Sequence, residues 1–377
     1  MTDDTDTDGS DDGPDEQVAS STAETQQRCD FCRLQVPDDP VRATLDGSVY
    51  TFCCEHCRSA MESSDRVFTE YRGYRHFRSS VSVLDAQLPQ GLLRNSFVLF
   101  SGQAGTREDA LYAELIWRTL RRGEPAMYVT FQEPPTSVVE RFLTLDWNVL
   151  PDLERGDLHI VDCFTYRVDD RDRMYENMND WNQHIYDVAE DETTAVRDPS
   201  EVSAIESRLD NCLDAMGMVD TGVVLIDSLT EFGSLVQPVQ AYNFVRDIRA
   251  DICKGRFIPI FAGASVVSES DEFPHDLGYI VDGVVDLRLN PELIEDTLIK
   301  QIRVRKMNGV LSIPEWTAYE FTSGQGLVMF DPHEEIEKKR EERVEDAPTD
   351  GEAAEPTDDD PPDEDTAVEP ADPDEES

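Results

Sequence analysis

Short apolar runs alternate with stretches of helical periodicity through most of the chain. Residues Asn95–Ser101 form an apolar run that stops at a small-residue turn, Ser101-Gly102-Gln103-Ala104-Gly105-Thr106. Leu111, Leu115, Ile116 and Leu120 then recur at the three- and four-residue spacing of one helix face, and Ala126–Phe131 is apolar again. Eight runs read as strands: Ser96–Phe100, Met127–Phe131, Leu158–Asp162, Val223–Asp227, Ile258–Gly263, Gly283–Arg288, Lys300–Lys306 and Ala318–Thr322. Strands interleaved with helices predict an α/β domain with a largely parallel sheet over residues 84–330. Within it, 167–204 is polar and acidic with scattered aromatics (Tyr175, Trp181, Tyr186), which predicts an elaborated helical segment. Residues 62–83 predict a linker helix bearing Val67, Phe68, Tyr71 and Phe77. Residues 1–27 and 331–377 are acidic and almost devoid of apolar positions. They are expected to be disordered tails, the second opening with a short helix over Glu334–Val344.

Charge narrows the function classes. Acidic residues number 81 against 33 basic ones, a formal net charge of −48 over 377 residues, and the first lysine is Lys254. Such a surface stays hydrated in high salt and disfavours nucleic acid and anionic membranes. Neither a membrane-length apolar run nor a signal peptide is evident, so a cytoplasmic protein without membrane insertion is expected. Five of the eight cysteines fall between Cys29 and Cys57. In a cytosolic protein that clustering points to metal rather than disulfides.

The cysteine unit, residues 28–61, reads Cys29-Asp-Phe-Cys32, then about twenty residues, then Phe52-Cys53-Cys54-Glu55-His56-Cys57. Two close pairs separated by such a loop can bring four thiolates around one tetrahedral ion, and Asp46-Gly47 reads as the hairpin turn that presents the second pair. The unit resembles the treble-clef metal domains known as TRASH or YHS-like, and the Cys-rich domain of copper-transporting ATPases. That resemblance implies Cys29, Cys32, Cys53 and Cys57 as ligands, with Cys54 and His56 as alternatives. Thiolates suit structural Zn and also copper or another thiophilic ion.

A strand feeding a glycine turn at a helix N-terminus is the geometry that cradles phosphate. The usual loop needs Gly-x-x-x-x-Gly-Lys-Ser/Thr. Gly102 and Gly105 are present, but Arg107, Glu108 and Asp109 stand where the second Gly, the Lys and the Ser/Thr belong. Further on, Tyr128-Val-Thr-Phe-Gln-Glu133-Pro-Pro, Phe142, Asp146-Trp147, Gly156–Asp162, Gly222–Leu229, Asp282–Arg288 and Arg303–Gly309 together resemble the KaiC-like branch of the RecA-superfamily ATPases. Haloarchaeal HTR-like proteins of the signal-transduction type are a similar group. The resemblance implies a RecA-like P-loop NTPase fold, with Asp227 as the acid that positions Mg²⁺ and Glu133 as the second of a Glu-Glu pair that polarises water. Gln132 replaces the first of that pair. Lys306 matches a family lysine that reaches a neighbouring subunit's phosphates, while Asn308 replaces the arginine beside it.

Gly102, Gly105, Thr106, Arg107 and Lys306 thus outline a vestigial nucleotide site. Phosphoryl transfer is mainly positioning and charge neutralisation. Exchanging a cation for Glu108 reverses an interaction of about 4 kcal/mol at ~4 Å and an effective dielectric of ~20. We therefore expect a regulatory protein whose KaiC-like core is a pseudo-ATPase scaffold, joined to a metal module and assembling with itself, KaiC-like paralogues or signalling proteins. The rival expectation is a divergent Mg²⁺-dependent ATPase or autokinase using Arg107, Glu133 and Asp227. A recombination or repair accessory is the weakest of the three, for want of a basic strip. His76, His159, His184, His275 and His333 read as ordinary histidines, and Cys163, Cys212 and Cys253 as small buried apolar residues. Nothing in the spacing pairs a cysteine with a histidine for catalysis.

Overall fold

The computed structural model of the chain describes residues 27–32, 34–45, 47–63, 76–265, 277–294 and 297–334. Residues 1–26, Val67, Phe68, Tyr71, His275 and everything beyond Glu334 lie outside the described residues. A small N-terminal hairpin comes first, β1 (Val41–Leu45) paired antiparallel with β2 (Ser48–Phe52), followed by α1 (Glu55–Ser63).

Phe77 belongs to a two-residue strand, β3 (His76–Phe77), paired with β4 (Leu92–Leu93), and not to a linker helix. The reason is local. The Asp85 carboxylate accepts hydrogen bonds from the backbone N–H groups of Ser79 and Ser80 at 2.9 and 3.1 Å, and Ser80 adopts a positive φ of 64°. The chain therefore turns at these serines and starts a new helix, α2 (Ser82–Gln87).

Among the described residues the main sheet has ten strands. In chain order they are β5 (Phe97–Gly102), β6 (Ala126–Thr130), β7 (Leu158–Asp162), β8 (Thr193–Ala195), β9 (Val223–Asp227), β10 (Ile260–Ser265), β11 (Gly283–Ile294), β12 (Thr297–Met307), β13 (Thr317–Thr322) and β14 (Gly326–Met329). Their order across the sheet is β14-β13-β12-β11-β5-β10-β9-β6-β7-β8. From β11 to β8 every neighbouring pair is parallel, whereas β11 to β14 form an antiparallel meander.

The central strands are buried on both faces, and their alternate residues feed two separate cores, as a period of two requires. Val98, Phe100, Tyr128, Ile160, Leu225 and Phe261 face α3 (Glu108–Arg121), α4 (Pro135–Thr144), α5 (Leu150–Glu154) and α7 (Asp180–Ala189). Phe97, Leu99, Met127, Val129, Val161 and Val224 face α8 (Val202–Ala215), α9 (Leu229–Leu235) and α10 (Pro238–Ile248). The segment 167–204, expected to be an elaborated helical one, contains α6 (Arg171–Glu176) and α7, and also the edge strand β8, which pairs Thr193–Ala195 with Ile160–Asp162. No helix among the described residues is long and apolar enough to cross a membrane.

Candidate functional site

Parallel register brings the C-terminal ends of β5, β6 and β9 to one rim: Gly102 pairs with Ser265 and Leu287, and Thr130 with Asp162 and Asp227. Ligands of open α/β sheets bind at this rim. The loop from Gln103 to Arg107 leaves β5 there and enters α3. Much of its polar capacity is satisfied internally. The Thr106 hydroxyl lies 2.7 Å from the Gln103 carbonyl and 2.9 Å from the Glu108 carboxylate, and the Thr106 N–H also donates to Gln103. The Tyr319 hydroxyl donates to the Thr106 carbonyl at 2.5 Å. Arg107, at the helix N-cap, holds a positive φ of 60°. That left-handed conformation suits glycine, so an arginine keeps a backbone shape that its side chain disfavours. The Arg107 guanidinium lies 5.3 Å from the Phe321 ring centre, with Nε 3.5 Å from Asp109.

Across from this loop, Asp227 ends β9 and Glu133 follows β6. Between them stands a residue that the sequence reading did not single out. Arg141, on α4, places one guanidinium nitrogen 2.5 Å from Glu133 and the other 3.2 Å from Asp227 Oδ2 and 2.7 Å from the Tyr128 hydroxyl. Tyr128 in turn donates to Asp227 at 2.8 Å. Burial, together with nearby Asp227, holds the Glu133 carboxyl above its usual range despite Arg141. Burial also works against the charge of Arg141, and Tyr128, Glu133 and Asp227 more than restore it. Gln132 donates to the Ser228 hydroxyl at 2.9 Å. A signal for Arg141 did exist. It lies three residues after Val138 and one before Phe142, both fully buried, so a cation falls at the edge of an apolar stripe and requires a carboxylate partner.

Lys306 is not brought to this loop within the chain. Its ammonium donates to the carbonyls of Gly278 and Val281 at 2.9 and 2.8 Å, and its strand position pairs with Val284, which neighbours Leu99. That is three residues, about 10 Å, along the sheet from Gly102.

The cysteine unit makes a second candidate centre. The Sγ atoms of Cys29, Cys32, Cys53 and Cys57 all lie within 4.8 Å of one another, with Cys32–Cys53 at 3.6 Å and Cys53–Cys57 at 3.5 Å. A tetrahedral ion with sulfurs at about 2.3 Å sets them about 3.8 Å apart, so the donor set fits Zn²⁺. Cys54 is exposed and outside this set, as is His56. Burial, with Cys32 and Cys54 adding to it against a Cys57 hydrogen bond, pushes the Cys53 thiol up to about 12. Burial opposes ionisation at Cys29 too, but backbone N–H groups of Cys32, Cys53 and Phe31 bring it to about 7. Four thiols so crowded need a cation to ionise together. The hairpin is tied to the first pair by Asp30, which accepts from the Thr51 N–H at 2.7 Å and donates its own N–H to the Thr51 carbonyl.

Outside both centres, Cys212 is buried in an apolar cluster as expected, and its Sγ also lies 3.4 Å from His159 Nε2, a contact across 53 positions that the spacing did not reveal.

The comparisons with known proteins bear on both centres. A family model described as KaiC matches residues 77–334. The chain belongs to the KaiC ATPase family. A second model, the MYM-type zinc finger with FCS sequence motif, matches residues 25–60, where this KaiC family member has Phe52-Cys53-Cys54. Among similar proteins, a UPF0273 protein of Thermotoga maritima is 25% identical over 256 residues, 68% of this chain and 96% of that one. A UPF0273 protein of Methanopyrus kandleri is 26% identical over 265 residues, 70% of this chain and 95% of its own length. The crystal structure of a KaiC-like protein from Pyrococcus horikoshii superposes with a TM-score of 0.53 at 15% identity, over 68% of this chain and all of that one. That superposition supports the fold alone. A KaiC-family ATPase domain joined to a zinc-finger-type cysteine unit is the architecture of this chain.

Proposed function

We propose that the chain is a cytoplasmic regulatory protein of the haloarchaeal signal-transduction kind. In this reading its KaiC-family core works as an assembly or partner-binding scaffold and does not turn over ATP. The observation that carries it is the Arg141 bridge. Glu133 and Asp227, the two carboxylates that would polarise water and position Mg²⁺, are both engaged by a guanidinium from their own chain. A divalent cation would have to displace a half-buried, hydrogen-bonded arginine to reach them. The loop opposite offers Glu108 and Asp109, so it adds negative charge where phosphates would need a cation. Arg107 supplies no remedy, being paired with Asp109 and set over Phe321.

The TRASH-type cysteine unit is then the input, holding Zn²⁺ or another thiophilic ion such as copper. Its ligation state changes how the core associates, with copies of itself, KaiC-like paralogues or signalling proteins. The free thiols fit a reducing compartment.

Titration of the full chain with Mg²⁺-ATP at high KCl is the test. No binding at millimolar nucleotide is expected, together with a change in oligomer size by light scattering when the metal is chelated. Magnesium-dependent turnover abolished by Glu133→Gln would overturn this reading and establish a divergent ATPase. Metal loading without effect on assembly or partner binding would remove the proposed input.

A further inference from the structure

His159 is the second residue of β7 and pairs with Met127, so it lies toward the end of the sheet opposite the loop and the Arg141 bridge. Both of its ring nitrogens are engaged. Nδ1 is 3.1 Å from the Glu192 carboxylate, while Nε2 is 2.9 Å from the Thr194 hydroxyl and 3.4 Å from Cys212 Sγ. Cys212 comes from α8, and Glu192 and Thr194 come from the approach to β8 and from β8 itself. Three elements thus converge on one imidazole. A carboxylate on one nitrogen and a sulfur on the other fixes the ring and favours its protonated form. Cys212 is buried, at 6% exposure, yet it borders open space. Cys212 and His159 line a cavity of about 770 Å³ together with Thr194, Arg208, Asn211 and Met216. A cavity of this size admits a small organic molecule.

We propose that Cys212, held by His159 and facing this cavity, is a nucleophilic thiol that takes up small organic disulfides as mixed disulfides. The Cys212 thiolate attacks one sulfur of R–S–S–R. The Cys212–S bond forms, the S–S bond of the reagent breaks, and the departing RS⁻ takes the proton of the His159 imidazolium. A second thiol reverses the step by the same exchange. Glu192 and Thr194 are positioning residues. The electrostatics agree in direction: burial disfavours the thiolate, but hydrogen bonds from His159 and Thr194 outweigh it and lower the Cys212 thiol. Burial likewise disfavours the imidazolium, and Cys212 and Glu192 outweigh it and raise His159. Cys163 and Cys253, fully buried without such partners, are pushed up by burial instead. Arg208, one helical turn before Cys212, places a cation at the rim.

The experiment uses the full chain in high KCl with 2-hydroxyethyl disulfide, an uncharged probe, and follows the Cys212 peptide by mass spectrometry across pH 5–9. The expected rate at pH 6.5 exceeds that of free N-acetylcysteine by about tenfold or more. His159→Gln should remove that advantage and move the midpoint of the rate–pH profile upward. Because His159→Gln removes a buried ring that the fold uses, Glu192→Gln provides a second readout and should move the midpoint the same way. A Cys212 rate no greater than that of the free thiol overturns the proposal, and so does a midpoint that neither substitution moves.

Discussion

Arg141→Met tests the physical basis of the nucleotide-type rim. The substitution keeps a long side chain on α4 but removes the cation between half-buried Glu133 and buried Asp227, leaving two facing carboxylates of which only Asp227 keeps a hydrogen bond from Tyr128. Removing one partner of a buried ion pair costs about 3–5 kcal/mol, because the charge left behind is not solvated. For a domain of this size each kcal/mol moves Tm by about 2–4 °C, so a fall of roughly 6–20 °C is expected at pH 7. The pH dependence supplies the sharper check. Glu133 already titrates above its unfolded range, and loss of Arg141 raises it further. A carboxyl raised in the folded state favours folding when protonated and loses that contribution as pH rises through its folded pKa. The deficit of Arg141→Met relative to the parent should thus be largest near pH 7 and shrink toward pH 4, where carboxyls protonate. Urea denaturation at fixed KCl, followed by tryptophan fluorescence, measures it at both pH values. Glu133→Gln placed on the Arg141→Met background should restore part of the stability. A loss below about 1 kcal/mol at pH 7, or the same loss at both pH values without rescue, would refute the bridge as described.

Other consequences are as specific. The full chain should bind one zinc ion per molecule; Cys57→Ser should abolish stoichiometric binding while Cys54→Ser keeps it, measured by metal analysis after gel filtration. Asp282 receives hydrogen bonds from Arg249, Lys254 and the Phe97 N–H, which outweigh its burial and hold its carboxyl below the usual range. Its stabilisation is present above the unfolded carboxylate pKa and lost as pH falls through the folded one. Asp282→Asn should accordingly cost about 2–3 kcal/mol at neutral pH and much less near pH 3 in urea titrations. Gly222 has φ 81°, and an added Cβ would lie 2.4 Å from the Pro125 carbonyl, so Gly222→Ala should lower Tm by several degrees. Gly263→Ala would drive a methyl to 2.2 Å from the Tyr112 hydroxyl and should cost about 1–3 kcal/mol by overpacking.

The central sheet was legible because its strands are buried on both faces, which writes them as unbroken apolar runs such as Val223–Asp227. Strand β8 was not, since Thr193-Thr194-Ala195 is three residues of half-buried edge with no periodicity to detect. Strand β14 and the outer reach of β11 were missed for a related reason. They pair antiparallel at or near the rim, where exposed and buried positions mix. Convergence of the cysteine sulfurs is encoded by spacing, because each pair is local and one hairpin joins them. The Arg141 bridge and the Cys212–His159 pair depend on partners 86 and 53 positions apart. Only the strand order brings such residues together, and single-residue chemistry does not reveal it.

The Arg141 bridge also bears on descent. If the rim is inactive, as proposed above, suppose that a lineage carrying it were selected for ATP turnover. Losing Arg141 first would expose it to the instability of a buried carboxylate facing a half-buried one before any phosphate cation existed. Gaining a lysine at position 108 first would leave the Mg²⁺-side carboxylates still engaged. Neither single step yields a working intermediate, and the unstable one is selected against. On that reading the arginine is an evolutionary latch, making the proposed inactive state of the rim easier to inherit than to leave.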